Sequence, residues 1–333
     1  KFGFRPDQLD GSVRADIEFR FPLIRSLKPS MLEIRTAASL QDASLSDGPL
    51  GLQVTDGTLD LDLTETQITV AGDALLNGVP ATIDWTENLR GTGDFRRRLA
   101  LAGRLGNADR RALGLPDLSH WVSGPAETRV TYTVGESAEG ALNVSADLAR
   151  CLVTIPELGW SKPAGRAGTL DIAGTVSPSR RLTFDRLRLA TDDFEGRLRI
   201  AFRPDLSDIE TVAIERATYR GNDIRGTVAA QDGGGYRIDI EGSRIDVRHF
   251  VGTTPATGVA GPESPTTPAD GTAATTPFFL KARFKEAVTG EGRSLHDAQF
   301  IGRFDGRNWR LATLDAQLDQ GAALNMRYEP DGT

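Results

Sequence analysis

The sequence predicts a mainly β protein, built as a long, repetitive, mostly antiparallel sheet with a few short helices. Apolar and polar residues alternate with a period of two along many short runs, and clusters of Gly, Asn, Asp and Pro separate these runs. Helical periodicity is scarce by comparison. A chain of 333 residues is long enough for two domains or for one elongated, repeat-like body.

The strands follow from the alternation. In the run GTLDLDL, residues 57–63, three leucines lie on one face of an extended chain and two aspartates lie on the other. The same pattern predicts strands at residues 128–134, 169–176, 196–203, 236–242, 299–306 and 323–330. Turns are predicted at residues 47–49, 77–78, 221–222, 232–235 and 305–306.

Two stretches have a helical pattern, and one stretch has neither pattern. Residues 107–115 predict a short helix with Asn107 as its N-cap, and residues 244–252 predict a second helix. Residues 252–277 are rich in Gly, Pro, Thr and Ala and offer too little apolar surface to fold, so they are predicted to form a flexible linker. The linker divides the chain into segments 1–251 and 278–333.

Charge and cysteine content exclude several classes of function. The net charge of -7 and the pI near 5.2 argue against a nucleic-acid partner, because binding to phosphates needs a basic field. Cys151, the single cysteine, excludes an intrachain disulfide and is expected to be a small buried hydrophobe. No apolar run is long enough to span a membrane. The basic run 96–98 indicates either a solvated strand face or a contact with phosphate or a lipid headgroup.

The sequence contains no motif that predicts catalysis, a metal site or a cofactor. The histidines, His120, His249 and His296, are scattered and lack the spacing of metal ligands. Neither a nucleophile elbow nor a phosphate-binding glycine loop occurs. Acidic pairs such as Asp60 and Asp62 alternate with leucines, which is typical of the solvent face of a strand. We therefore expect neither an enzyme nor a bound cofactor.

The stretch IPELGWSKPAG, residues 155–165, predicts a rigid corner. Pro156 cannot donate a hydrogen bond to a neighbouring strand and Pro163 restricts Lys162, so a strand must end here. Gly159 permits a positive φ, and Trp160 is expected to plug the apolar interior. A lipid contact at the mouth of a groove is the alternative role for Trp160.

The apolar sides of the predicted strands must be buried against something. A closed β-sandwich or barrel buries them against each other, whereas a long sheet folded over lengthwise leaves an apolar groove between its walls. A period of two does not distinguish these solutions. If a groove forms, the residues expected to line it are Leu170, Ile172, Leu198, Ile200, Phe202, Ile238 and Ile240.

Taken in order, strings along nearly the whole chain resemble the bacterial AsmA-like family, in particular its YhdP group, whose members carry the DUF3971 domain. The most specific part is GVPATIDWTENL at residues 78–89 followed by IPELGWSKPAG at residues 155–165. The other matching stretches are residues 11–45, 55–89, 111–133, 149–176 and 192–202. Segment 1–251 is therefore similar to the DUF3971 part, and segment 278–333 is similar to the start of the AsmA-like C-terminal region.

This resemblance implies a fold and a function. The fold is a β-taco, a sheet curled into an incompletely closed groove with an apolar interior, as in bridge-like lipid transfer proteins. The function is passive carriage of glycerophospholipids through the periplasm toward the outer membrane, by a protein that is anchored in the inner membrane. We expect this chain to be an excised segment that lacks the anchor, with phospholipid and outer-membrane or periplasmic proteins as partners. The alternative is a structural or assembly module for outer-membrane biogenesis, with a closed and filled β-sandwich.

Overall fold

The chain divides into two compact units, unit 1 (Lys1–Asp192) and unit 2 (Asp193–Thr333). The structure is a computed structural model. It describes residues 8–26, 28, 31–46, 51–90, 93–179, 181–203, 209–248, 276–290 and 292–330. The predicted fold class is confirmed, because the described residues are mainly strand and 18 of the strands belong to one open, mostly antiparallel sheet.

Unit 1 contains the helix α1 (Asn107–Ala112) and thirteen strands. These strands are β1 (Leu9–Arg20), β2 (Glu33–Leu45), β3 (Val54–Leu63), β4 (Gln67–Leu76), β5 (Val79–Asn88), β6 (Arg97–Leu105), β7 (Val122–Ser123), β8 (Ala126–Val134), β9 (Gly140–Asp147), β10 (Leu152–Ile155), β11 (Trp160–Lys162), β12 (Gly168–Val176) and β13 (Leu182–Thr191). Ten of them pair antiparallel in chain order, from β1 through β6 and then β8, β9, β12 and β13.

Short turns are enough to join such neighbours. Between β4 and β5 the predicted turn at Asn77 and Gly78 is confirmed, with φ of 48° and 81°. Two successive positive φ values define the tight hairpin turn whose twist matches that of the strands it joins.

The remaining strands of unit 1 form a separate three-stranded sheet in the order β11-β10-β7, which we name the corner sheet. β10 ends at Ile155, the 3-10 helix Pro156–Leu158 follows, and β11 begins at Trp160. Gly159 lies between them in the left-handed region, with φ of 58°, a conformation that glycine adopts at little cost. The stretch 155–165 is therefore built around a tight hairpin.

Unit 2 contains eight strands, which pair in chain order. They are β14 (Phe194–Phe202), β15 (Ile209–Tyr219), β16 (Asn222–Ala230), β17 (Tyr236–Asp246), β18 (Phe278–Gly290), β19 (Arg293–Phe304), β20 (Trp309–Leu318) and β21 (Ala323–Tyr328). Every neighbouring pair is antiparallel except β17 with β18, which is parallel.

The parallel pair shows that the predicted linker connects two neighbouring strands of one sheet. Parallel neighbours need a long crossover, and the chain between β17 and β18 supplies it. The strands before and after the linker therefore belong to the same compact unit. Linker residues 252–275 lie outside the described residues, and the division into segments 1–251 and 278–333 stays a prediction from sequence similarity.

Several local predictions are corrected by the structure. The predicted helix at 107–115 forms as α1, but its N-cap is Gly106, whose N–H donates to the Asp109 carboxylate at 2.7 Å. Residues 244–246 belong to β17, so the second predicted helix is wrong there; residues 249–252, including His249, lie outside the described part. The predicted turn at 47–49 lies outside it as well.

Candidate functional site

An apolar row crosses unit 1 from its first strand, β1, to its last strand, β13. Residues paired in register on neighbouring strands lie on the same side of the sheet. The registers from β1 to β13 connect one residue on each of the ten paired strands. Each of these residues is Val, Leu or Ile, except for one glycine. This unit 1 row is Val13, Leu40, Leu59, Gly72, Ile83, Leu101, Val130, Val144, Ile172 and Leu187.

Most of the unit 1 row is only half-buried. Ile83 is 8% exposed, whereas Val13 on the edge strand is 66% exposed and the other members are intermediate. Side chains of this size in a filled core are normally almost fully buried. Along most of its width the row therefore has no second packed layer above it among the described residues.

The opposite face of the same strands is polar. The row one residue away contains charged or hydroxyl side chains on several strands, including Arg14, Ser39, Asp60, Asp84 and Thr131. This is the amphipathic pattern of an antiparallel sheet that keeps one side in water. Two shallow concavities, of about 400 and 480 Å³, lie over unit 1. The first is lined mainly by polar residues, whereas the second is lined by Asp56, Thr58, Asp73 and Thr82 together with six Ala, Gly, Leu and Pro residues. Neither concavity coincides with the apolar row.

One end of the apolar face of unit 1 is packed. Ala74, Leu76, Ile83 and Leu99 form a buried cluster, and Leu113, which follows α1, packs against it. Helix α1 is held there by the buried Arg110, whose guanidinium donates to the carbonyl oxygens of Leu105 and Val122, both at 3.0 Å. The described helix thus covers the row locally, at the end where β4 turns into β5.

The corner sheet, with Cys151 directly before it, contains the large side chains that are most deeply buried among the described residues. Trp160, Lys162 and Cys151 are almost completely shielded, and Lys162 is only 2% exposed. The ammonium Nζ of Lys162 donates to the carbonyl oxygens of Cys151 at 2.9 Å, Pro163 at 3.2 Å and Arg166 at 2.8 Å. Burial lowers the pKa of Lys162 and raises the pKa of the Cys151 thiol. The predicted burial of Cys151 is confirmed.

The four residues of the predicted corner lie in two different environments. Pro156 and Pro163 are exposed at the ends of β10 and β11, while Trp160 is buried. Sequence reasoning missed the burial of Lys162. A signal for it was available, because residues two positions apart on a strand lie on the same face. The face that buries Trp160 therefore also buries Lys162, and three carbonyl groups take the place of water around its charge.

Two adjacent apolar rows cross the whole of unit 2. The first joins Ile200, Val212, Val228, Ile238, Leu280, Gly302, Ala312 and Tyr328. The second joins Leu198, Ile214, Gly226, Ile240, Ala282, Phe300, Leu314 and Met326. Apart from buried Gly302 and the exposed Met326 and Tyr328 on the edge strand, all members are half-buried.

Larger side chains flank the unit 2 rows at both strand ends. At one end, Phe194 and Tyr219 are buried with ring centroids 5.9 Å apart, and burial raises the pKa of Tyr219 to about 12. At the other end, Phe278 and Phe304 stack at 5.2 Å, and Trp309 meets both rings edge-on at 5.7 and 5.6 Å. The half-buried rows lie between these two aromatic groups.

All seven sequence-predicted groove residues are half-buried, and each lies on the apolar face of its own unit. In unit 1, Ile172 is a member of the row and Leu170 is paired with Leu189. In unit 2, Ile200 and Ile238 belong to the first row, and Leu198 and Ile240 belong to the second row. Phe202 lies outside both rows and is paired with Ile209. The polarity of the sequence thus selected the same side of the strands that the registers define.

Neither metal ligands nor membrane-spanning helices are found in the part of the chain that the structure describes. No group of three or more His, Cys, Asp or Glu side chains there could hold a metal ion. His120 packs edge-on against Trp121, and His296 pairs with Asp319 at 3.0 Å. None of the described helices has both the length and the apolar character that crossing a membrane requires.

Comparison with known proteins adds no relative. No protein-family model matches the chain, and no curated protein or solved structure shows significant similarity to it. The function is therefore inferred from the apolar faces and from the residues around them.

Proposed function

We propose that this protein carries phospholipids by seating their acyl chains on the apolar faces of its units. The observation that supports this most directly is the continuous course of the apolar rows across the ten paired strands of unit 1 and all eight strands of unit 2, with most of their members half-buried. A filled core would bury these side chains, and a water-exposed face would not repeat apolar residues on one strand after another.

The proposal needs no covalent step. Burying an acyl chain contributes about 0.8 kcal/mol per CH₂ group, so an apolar face offsets most of the cost of leaving a membrane. The polar faces carry exposed ion pairs such as Arg199 with Glu215 at 2.9 Å and Arg283 with Glu241 at 3.0 Å. Such pairs contribute little stability, but they keep the outer side of the sheet compatible with water.

The cellular setting is part of the proposal and is supported by the sequence resemblance. We propose that the chain is a segment of an AsmA-like protein of the periplasm, anchored in the inner membrane, that moves glycerophospholipids toward the outer membrane. Its role in that setting is binding rather than catalysis, and its partners are phospholipid and outer-membrane or periplasmic proteins.

Native mass spectrometry with lipid extraction tests the proposal. The chain is purified from bacterial membranes in mild detergent, and bound lipid is released and identified. We expect phospholipid at a defined stoichiometry. A lipid-free, compact chain that stays dissolved without detergent would contradict the proposal.

One observation favours the second candidate, a structural or assembly module. The edge strand β1 is exposed along its whole length, and Val13, Ile17 and Phe19 are all more than half-exposed. An exposed, apolar edge strand is a site where another protein strand can add to a sheet. If native mass spectrometry finds no bound lipid, this assembly role becomes the favoured function.

A further inference from the structure

A pair of charged residues interrupts the apolar face of unit 1. A second row lies on the same face, four residues along each strand from the unit 1 row, or five along β13, where the register shifts. This row contains Glu87 and Arg97 as register partners. Their neighbours in this row are Ile68 on β4 and Val134 on β8. The full row is Ile17, Thr36, Leu63, Ile68, Glu87, Arg97, Val134, Gly140, Val176 and Leu182.

The two side chains are held in one fixed arrangement. The Arg97 guanidinium donates from Nε at 3.2 Å and from Nη2 at 3.1 and 3.2 Å to the two carboxylate oxygens of Glu87. Glu87 is 7% exposed, whereas the side chain of Arg97 is 44% exposed. Nη1 of Arg97 has no hydrogen-bond partner among the described residues. Glu87 therefore orients a guanidinium that still presents donors to the apolar side of the sheet.

Stability alone does not account for this pair. Replacing a buried ion pair by apolar residues is often neutral or stabilising, and the neighbours of Glu87 and Arg97 in the row are apolar. The next basic residue, Arg98, is paired with Thr86 and lies over the ring of Phe95 at 4.1 Å. Of the two, only Arg97 is on the apolar face, because successive strand residues point to opposite sides.

We propose that Arg97 binds the phosphate of an amphiphile whose acyl chains lie on the apolar face of unit 1, with Glu87 as the positioning residue. This inference rests on the proposed function and adds to it the site on unit 1 that binds the phosphate of the lipid. A planar guanidinium with free N–H groups matches a phosphate, and an apolar surround strengthens the charged hydrogen bonds. The phosphate is carried by the lipid, because the site opens onto the same face as the unit 1 row.

The test compares loading of two lipids that differ in the phosphate. The 333-residue chain is incubated with dioleoyl phosphatidylethanolamine or with dioleoylglycerol in mild detergent, and bound lipid is quantified by native mass spectrometry. The double variant Glu87→Leu/Arg97→Leu removes the pair without leaving a buried charge, so we expect it to fold. The matched control, Arg199→Leu/Glu215→Leu, removes an ion pair of the polar face of unit 2.

The double variant should lower the ratio of bound phospholipid to bound diacylglycerol by roughly 10- to 100-fold, the effect of losing a hydrogen bond to a charged group. Binding of diacylglycerol and the ratio for the control variant should stay unchanged. An unchanged ratio in the double variant would overturn the inference and leave the proposed function standing. If wild-type chain loads neither lipid, the proposed function and the inference both fail.

Soluble glycerol 3-phosphate separates a lipid headgroup from a free phosphate as the ligand. It should displace bound phosphatidylethanolamine only weakly, because it offers no acyl chains to the apolar face. Tight binding of glycerol 3-phosphate that disappears in the double variant would instead assign the site to a soluble phosphate, and the lipid-borne source would be wrong. Arg97→Lys, which keeps the charge but loses the fork of donors, should give an intermediate ratio.

Discussion

Lys162 is a charged side chain that folds into the interior because three carbonyl oxygens replace its water. The carbonyls belong to Cys151, Pro163 and Arg166, which lie on both sides of the hairpin of the corner sheet. The lysine therefore ties β10 to the loop after β11. The corner that the prolines and glycines predict is completed by a residue whose type usually faces solvent.

Lys162→Met should lower the free energy of unfolding by about 2–4 kcal/mol, because it removes three charged hydrogen bonds and leaves buried carbonyl groups without donors. Urea denaturation measures the change. The control is Lys285→Met, at an exposed position of β18, which should stay within about 0.5 kcal/mol of wild type. Equal stability of the two variants would show that the three carbonyls find other donors.

Asp305 acts at the turn between β19 and β20. Its carboxylate accepts from the backbone N–H groups of Asn308 at 2.8 Å and Arg307 at 2.9 Å, and the Arg310 guanidinium also donates to it. These hydrogen bonds, those from the backbone first, lower the pKa of Asp305 from 3.8 to about 2. The lowered pKa means that the folded state favours the charged form.

Asp305→Ala should therefore destabilise the chain most at neutral pH. Since the folded pKa lies below the unfolded value, the contribution of this group is complete above about pH 4 and is lost as the pH falls through about 2. Thermal unfolding of wild type and variant at pH 7 and at pH 2 measures it. The difference in Tm should narrow at pH 2, and an equal difference at both pH values would refute the assignment.

At the residue scale, the sequence predicts which face of a strand is apolar but not which charged residues lie on that face. Alternation places Ile172, Ile200 and Ile238 on the apolar side of their strands, because many neighbouring positions agree on that side. Lys162 and Arg97 follow the same alternation, yet their types indicate solvent. The side on which each of these two side chains lies depends on its partners, which are backbone carbonyl groups for Lys162 and Glu87 for Arg97. These partners lie on other segments of the chain and are not visible in the local pattern.

At the element scale, β-bulges explain several strands that alternation does not predict. In β15 the register with β16 shifts between Ile214 and Ala217, so the period of two changes phase within the strand. Strands β9 and β10 are separated for another reason, because Leu148 and Cys151 between them are buried in a turn. The parallel pairing of β17 with β18 has no local signal at all.

Gly72 marks a bulge in the sheet of unit 1. The register of β3 with β4 shifts between Thr55 and Thr58, and Gly72 has φ of 147°. A Cβ atom on Gly72 would lie 2.2 Å from the carbonyl oxygen of Thr58, closer than any real contact. Only glycine therefore permits this close approach of the two strands.

Gly72→Ala should destabilise the chain by roughly 2–3 kcal/mol, through backbone strain and the clash with Thr58. Thermal or urea unfolding measures the loss. Gly135→Ala is the matched control, since a Cβ atom at Gly135 meets nothing within 4 Å. If the two variants are equally stable, the bulge does not depend on glycine.

At the scale of the whole molecule, each unit repeats one design, a wholly or mostly antiparallel sheet with a polar face and a half-buried apolar face. The sequence predicted the fold class because period two and turn residues are local properties. It left a closed sandwich and an open groove undecided, because that choice depends on whether a second layer covers the apolar rows. Ile200, Val212, Val228 and Ile238 are consecutive members of the first unit 2 row, and all four are half-buried. Their intermediate burial favours the open groove over the closed sandwich within unit 2.

The most direct test of the central claim compares Ile200→Arg with Thr211→Arg. Ile200 lies in the first row of unit 2, and Thr211 is an exposed residue on the polar face of the neighbouring strand β15. Phospholipid loading is measured by native mass spectrometry, and folding is measured by thermal unfolding.

We expect Ile200→Arg to remain folded and to lose roughly 10-fold or more of its bound phospholipid, because a charge in the path of acyl chains is costly. Thr211→Arg should keep both its stability and its lipid. An insoluble or unfolded Ile200→Arg chain would place Ile200 in a filled core, where an unpaired charge is very costly, and would contradict the open apolar face.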